Sequence, residues 1–479
     1  MSACTSGPGH GGPAAVGDTY LKNVVHGRAM KNSRSLSLAR LLAYVGLCLG
    51  AVVIAVALLI LMFGGAILNG YGKKKMERAF AKALPGCALR IGELDYTASA
   101  NRLIAQSVTL SATTSTLRAG RLSLTGVRWV RLLWGTASLA DILAKASLDA
   151  ANLDVEFPRS RYGVRCARLR ASVPGSELIA EGTELRPLVG DEEFFAASAF
   201  RMTRFRVVVP ECRVLGLAYG DLLQGKSYRA RSVHLSRPSL DVLVSRYKPV
   251  EPFVKPPLMV HEALALIRQP LQVESLGITS GHLRYAERAV AGADPGVLTV
   301  GAMNVTVDGI TNRGEASAVI ALRAQGELLN AGALKVLMTI PVASPDLSLR
   351  YSGSLGPMDL TRLDAFLENA EHIRITSGSA KELSFEIDVT AGQARGRVRA
   401  IYKDLKIAFL DKQTGTEKGL GNRFDSFMTN AFKIRNSNAP DASGSMKEGK
   451  VSYTRDPKNE FLQFTWFALR SGVLDAVSL

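Results

Sequence analysis

The chain has 479 residues, 47% of them hydrophobic and 21% charged, and its 59 Lys and Arg against 42 Asp and Glu give a net charge of +17. So large an apolar share excludes wholesale disorder, and the 44 Gly and 19 Pro follow no collagen-like period. A basic surface of this kind suits an anionic partner, phospholipid headgroups or nucleic acid, and says nothing about fold.

Residues 1–40 read as a polar, disordered tail. From Leu41 to Gly72 no charged residue occurs. A membrane-spanning helix needs about 20 such residues, so a single-pass transmembrane helix is assigned to 41–70. The run is too long for a signal peptide and no small-residue cleavage site follows it. Its flanks carry Lys22, Arg28, Lys31, Arg34 and Arg40 on one side and Lys73, Lys74, Lys75, Arg78 and Lys82 on the other. With both basic, the positive-inside rule leaves the orientation open. Residues 71–85 form a juxtamembrane helix or linker, with Met76, Phe80 and Leu84 at helical spacing and Pro85-Gly86 as its stop.

From 86 to 410 short alternating runs are separated by Gly, Pro, Ser and Asp, the texture of an antiparallel β domain. Arg204–Val209, Leu240–Val244 and Ser384–Val389 are such runs. Helices are predicted at Ser138–Ala146, His261–Arg268 and Asp359–Ala370. A weak repeat, LIAQSVTLS from Leu103, LRAGRLSLT from Leu117, VRCARLRAS from Val164 and YRARSVHLS from Tyr228, keeps strand period at both ends and flips phase in the middle. That fits a bulged strand, or two short strands around a kink. Residues 411–479 supply a polar loop, an amphipathic helix around Phe424, Phe427 and Met428, a strand at Val451–Tyr453 and an aromatic-rich helix at Phe461–Leu474, closing the β domain.

Chemical motifs fail on context. Gly220–Ser227 (GDLLQGKS) matches the phosphate-binding G-x-x-x-x-G-K-[ST] pattern, but β alternation and Pro238 follow where a helix is required, so it reads as a β-hairpin loop. Gly444–Val451 (GSMKEGKV) lacks the hydroxyl residue. His261-Glu262 opens an H-E pair, but Ala265 stands at the second ligand position and excludes a zincin. The five cysteines show no C-x-x-C spacing and read as buried free thiols, although a Cys166–Cys212 disulfide is open in an oxidising compartment. Arg159, Arg161, Arg165, Arg168 and Arg170 cluster around one hairpin and could attract phosphates. No nucleic-acid motif accompanies them, and beside a membrane anchor lipid is the better partner.

The segments GCALRIGELDYTASANRLIAQSVTLS from Gly86, LRAGRLSLTGVRWVRLLWG from Leu117, HIRITSGSAKELSFEIDVTAGQARGRVRAIYKDLKIAFLDK from His372, NAFKIRN from Asn430, GKVSYTRDP from Gly449 and TWFALRSGV from Thr465 resemble bacterial AsmA-like envelope proteins. These are relatives of the repeating-β-groove lipid-transfer proteins. The resemblance implies a mainly β fold in which an N-terminal transmembrane helix leads into an elongated, curved antiparallel sheet, groove-like, with a few short helices and a C-terminal helix. It implies a bacterial inner-membrane anchor, a periplasmic main domain, and phospholipid bound or moved along an apolar groove in support of outer-membrane biogenesis and integrity. It carries no catalytic residues, cofactor, metal or nucleic-acid partner. With roughly 15–20 strands at about 4.8 Å, the groove would run some 70–95 Å. Alternating apolar positions line it: Val108 and Leu110, Leu122 and Leu124, Val233 and Leu235, and Phe385, Ile387 and Val389. The alternative is a structural or assembly factor that holds other envelope proteins and no lipid.

Overall fold

A computed structural model describes residues 87–112, 114–128, 131, 138–251, 257–315, 317–410 and 434–478. The predicted tail, membrane run and juxtamembrane helix, the polar loop at 411–421 and the helix around Phe424 lie outside the described residues. Among the described residues no helix is long and apolar enough to cross a membrane.

The β-branched and aromatic alternation builds one sheet of nineteen strands. The first half is β1 (Cys87–Arg90) and β2 (Glu93–Thr97), which share the edge beside β3 (Arg102–Ala112), then β4 (Thr116–Thr125), β5 (Ser147–Phe157), β6 (Tyr162–Ser172), β7 (Glu177–Pro187) and β8 (Thr203–Leu215) as an antiparallel meander. Next comes one strand row broken at Arg237-Pro238 into β9 (Tyr228–Ser236) and β10 (Ser239–Ser245), both antiparallel to β8. The second half is β11 (Leu271–Arg288), β12 (Gly296–Thr311), β13 (Val319–Leu328), β14 (Gly332–Pro341), β15 (Leu349–Leu355) with the two-residue β16 (Met358–Asp359), β17 (Ile373–Thr390), β18 (Gln393–Phe409) and β19 (Glu448–Thr454), again antiparallel.

The expected uniform antiparallel order is corrected at one seam: β11 runs parallel to both β9 and β10. A parallel neighbour needs a crossover of a dozen residues or more. Residues 246–270 provide it, and they carry the helix α4 described below.

The helices are short. Ser138 caps α1 (Leu139–Leu143) with Asp141 closing a capping box, as the sequence predicts. The sequence reading missed α2 (Asp191–Ala196) and α3 (Tyr219–Leu223), whose single turns are too brief for a periodic signal. The predicted helices near 261 and 359 appear as α4 (Val260–Ala265) and as a 3₁₀ turn running into α5 (Asp364–Glu371). The C-terminal helix is α6 (Phe461–Val477).

The phase flip in the repeat is a kink shared by neighbouring strands. In each ladder from β3 to β8 the register is kept but one pair is skipped, at Ser107, Gly120, Asn152, Ala167, Gly182 and Pro210 in turn. Ser107, Asn152 and Gly182 are left-handed there, with φ of 52°, 53° and 60°. At Gly182 an added Cβ would also come within 2.9 Å of the Ala167 Cβ. A left-handed residue reverses the pleat, so Leu103 and Ala105 before the kink share a face with Val108 and Leu110 after it. The crease continues through Arg237, Ser280 and Ala302, all with positive φ, where true register shifts appear. Apolar residues from both sides of the crease form one buried cluster in the first half, and among the described residues no second sheet covers them. The strands must therefore bend toward this face.

Candidate functional site: opposite faces of the second half

One unbroken row of cross-strand partners follows the apolar face beside the crease. It reads Ala105, Leu122, Ala150, Leu169, Ala180, Cys212, Leu235, Ile278, Val305, Ala324, Val336, Gly353, Phe385 and Val398. From Ala105 to Ala180 every member is buried; from Cys212 to Gly353 every member is only half-buried; Phe385 and Val398 are buried again. The parallel row through Val233, Leu276, Val307, Leu322 and Met338 is half-buried over the same strands. Along these rows the apolar face is buried at both ends and half-buried between β9 and β15, where Ile320, Ile340 and Tyr351, farther along β13 to β15, are buried with Val307, Val336 and Met338 packed on them.

Two different devices close the ends. In the first half Ile142 and Leu143 of α1, Phe194 and Phe195 of α2 and Tyr219 of α3 join the strand residues in one core. In the second, Phe464 and Ala468 of α6 and Met259 beside α4 join Phe385, Ile387, Val389 and Val398 in a second core. Gly449 of β19 lets α6 approach closely, since a Cβ there would meet the Gly472 carbonyl at 1.9 Å. The α6 side chains also cap the last strand edge: the Asp475 carboxylate accepts from the Lys450 N–H at 2.7 Å, and Ser471 Oγ accepts from the Ser452 N–H. An edge so satisfied no longer templates another chain.

The nine sequence-derived groove positions therefore separate. Val108, Leu122, Leu124, Phe385, Ile387 and Val389 are buried against other side chains. Leu110 packs half-buried on the first core, and Val233 and Leu235 lie half-buried on the open stretch. The sequence reading missed the other open members, Leu276, Ile278, Val305, Leu322 and Val336. Alternation in NVTVDG from Asn304 was the available signal, but it is no stronger than in the buried strands.

On the opposite face of β9 to β19 lies a trough of about 1110 Å³. Its polar lining is His234, Ser275, Thr279, Asn304, Thr306, Gln325, three serines on β15 and β17, and the charged Arg323, Lys335, Glu386, Arg397, Arg399 and Glu448, with the exposed Leu337 among them. Arg323 pairs with Asp308, and Arg397 with Glu386 at 3.0 Å. Lys335 has no side-chain partner among the described residues. It stands between Gln325 and Ser354 across the strands. Arg399 touches the Met446 thioether.

The remaining motif residues are structural. In Gly220–Ser227 the expected hairpin loop is corrected to α3 and a turn leading into strand β9, so helix precedes loop and strand follows it, the reverse of a phosphate-binding loop. Ser227 Oγ donates to Asp221 at 2.8 Å and Arg229 pairs with the same carboxylate, which these bonds hold below the ordinary range. Glu262 accepts from the Met259 N–H as a cap, and no metal-holding group of His, Cys, Asp or Glu occurs among the described residues. Cys166 and Cys212 are free thiols; burial pushes the Cys212 pKa up to about 11 and that of Cys166 upward, so neither forms a ready nucleophile. Arg165, Arg168 and Arg170 are held by Asp154, Asp149 and Glu181, which spends their charge within the sheet. Against known proteins, the chain matches no family model and no curated sequence.

Proposed function

We propose that the chain is a membrane-tethered, non-enzymatic envelope protein that shelters phospholipid acyl chains along the apolar stretch between β9 and β15. One observation carries this reading: the apolar row is continuous through the sheet yet is only half-buried from Leu235 to Ala324. Each CH₂ withdrawn from water contributes about 0.8 kcal/mol, so a chain lying across several strands is held firmly. The contact is non-directional, which lets the chain slide. In this reading the curved sheet is an elongated groove, the run at 41–70 anchors it in a bacterial inner membrane, and the β domain lies in the periplasm in support of the outer membrane.

A photoreactive benzoylphenylalanine at Val305, in cells, should capture acyl chains, identified by mass spectrometry of the adduct. The same group at Thr339, exposed on the polar face, should capture none. Absence of acyl adducts at Val305, or equal capture at Thr339, overturns the proposal. The second reading, a factor that holds protein partners, is favoured by the outward side of α6, where Leu462, Trp466 and Leu474 are 59%, 51% and 37% exposed at fourfold spacings. Peptide adducts at Val305 in place of lipid would establish it.

A further inference from the structure

We propose that the trough on the polar face binds an extended anionic glycan. The site lies across the sheet from the apolar stretch and does not depend on the acyl-chain reading. Its centre is a row of direct cross-strand partners, Lys335, Ser354, Ser384 and Arg399, one on each of four neighbouring strands. Two cations are thus set three strand spacings apart, roughly 14 Å, with two hydroxyls between them. Among the described residues neither cation is held by a carboxylate, whereas Arg118, Arg165, Arg168 and Arg170 on the outer face of the first half are. Four cationic side chains line the trough against the carboxylates of Glu386 and Glu448, and hydroxyl and amide side chains lie among them beside the exposed Leu337.

That chemistry matches a chain that carries spaced negative groups and many hydroxyls. Ammonium and guanidinium groups take the anionic substituents by charge-assisted hydrogen bonds, and Ser, Thr, Asn and Gln exchange bonds with the sugar hydroxyls. Single-stranded nucleic acid fits less well. It needs aromatic platforms for its bases, and the one aromatic residue at the trough, Phe385, is buried toward the other face at 6% exposure.

The test is calorimetric titration of the full chain in detergent with a sulfated heparin octasaccharide. Saturable binding is expected, with none for a neutral dextran of equal length. Lys335→Gln should weaken binding about tenfold, the scale of one lost charge-assisted bond, and Lys335→Gln with Arg399→Gln about a hundredfold. Both side chains are exposed, so the melting temperature should not move. Arg118→Gln, on the outer face of the first half, should leave affinity unchanged. Absence of saturable binding, equal loss in Arg118→Gln, or oligothymidylate binding as tightly and with the same dependence on Lys335 would each overturn the proposal.

Discussion

The two halves of the sheet share a crease and an apolar face but use them differently. In the first half, large and small residues alternate along the crease. Ala105, Leu122, Ala150, Leu169 and Ala180 lie on one side; Val108, Ala119, Leu153, Cys166 and Thr183 lie on the other. On β3 to β6 each strand carries one larger and one smaller residue on either side of its kink, while β7 carries Ala180 and Thr183. All ten are buried, which leaves this stretch closed. In the second half the row reads Leu235, Ile278, Val305, Ala324 and Val336, without that alternation, and stays half-exposed. Hydrophobic pattern alone does not separate a buried stretch from a half-exposed one; the size sequence across strands does.

Aspartate substitutions break this comparison most sharply. Leu122→Asp and Ile387→Asp place an unpaired charge in packed surroundings and should cost several kcal/mol, enough to unfold the domain. Val233→Asp lies on the open stretch, where the carboxylate keeps water. Its thermal midpoint should fall by no more than a few degrees while co-purified phospholipid drops. Equal collapse of all three would show that the second half is as closed as the first.

The junction between the halves rests on a buried ion cluster. Arg204 of β8 is 2% exposed and lies between Asp191 at the start of α2, at 3.1 Å, and Asp241 of β10, at 3.0 Å. Arg204→Ala removes the buried cation that joins the two carboxylates, leaving Asp191 to Arg206 at 3.3 Å and Asp241 to Arg284 at 3.1 Å, and should cost about 2–3 kcal/mol by urea unfolding. Arg204→Met with Asp191→Asn and Asp241→Asn should recover much of it. If the single variant loses less than about 1 kcal/mol, the pair does not hold the seam.

A smaller effect sharpens the role of α6. Gly449→Ala pushes a methyl into the Gly472 carbonyl and the Ala476 Cβ, so the helix must shift. An expected loss of about 1–3 kcal/mol should come with faster amide exchange at Lys450 and Ser452, whose N–H groups α6 caps. Unchanged exchange there would mean that the edge is protected without the helix.

How much of this was legible follows from the range of each signal. The kink is local: a phase flip between two apolar pairs is visible within one strand, so the repeat at Leu103, Leu117, Val164 and Tyr228 could be found. The helix near 138 was readable because Ser138 and Asp141 sit three apart. Closure is not local. Whether Leu122 or Val233 meets protein depends on partners ten to forty residues away, and the two have the same neighbours in sequence pattern. The parallel seam likewise turns on a crossover whose single helical turn leaves no periodic trace. The trough assembles residues from 234 to 448, one or two per strand, each of which reads as an ordinary solvated face.

The smallest expected effect concerns Gly220–Ser227. Its motif would make Lys226 a phosphate ligand, whereas the geometry makes Asp221 the organising group, with Ser227 and Arg229 bonded to its carboxylate. Lys226 is exposed and has no such partner among the described residues. Lys226→Ala should therefore change stability by less than about 0.5 kcal/mol and leave lipid capture at Val305 intact. Asp221→Asn should matter more, and with a defined pH dependence. The folded carboxyl titrates below its ordinary range, so its contribution is full above the unfolded value of 3.8 and is lost as pH falls through the folded one. The wild type and Asp221→Asn should accordingly differ in midpoint at pH 7 and converge as pH falls below the folded value. Measurable ATP binding abolished by Lys226→Ala would instead restore the nucleotide reading, against a loop that runs from helix into strand.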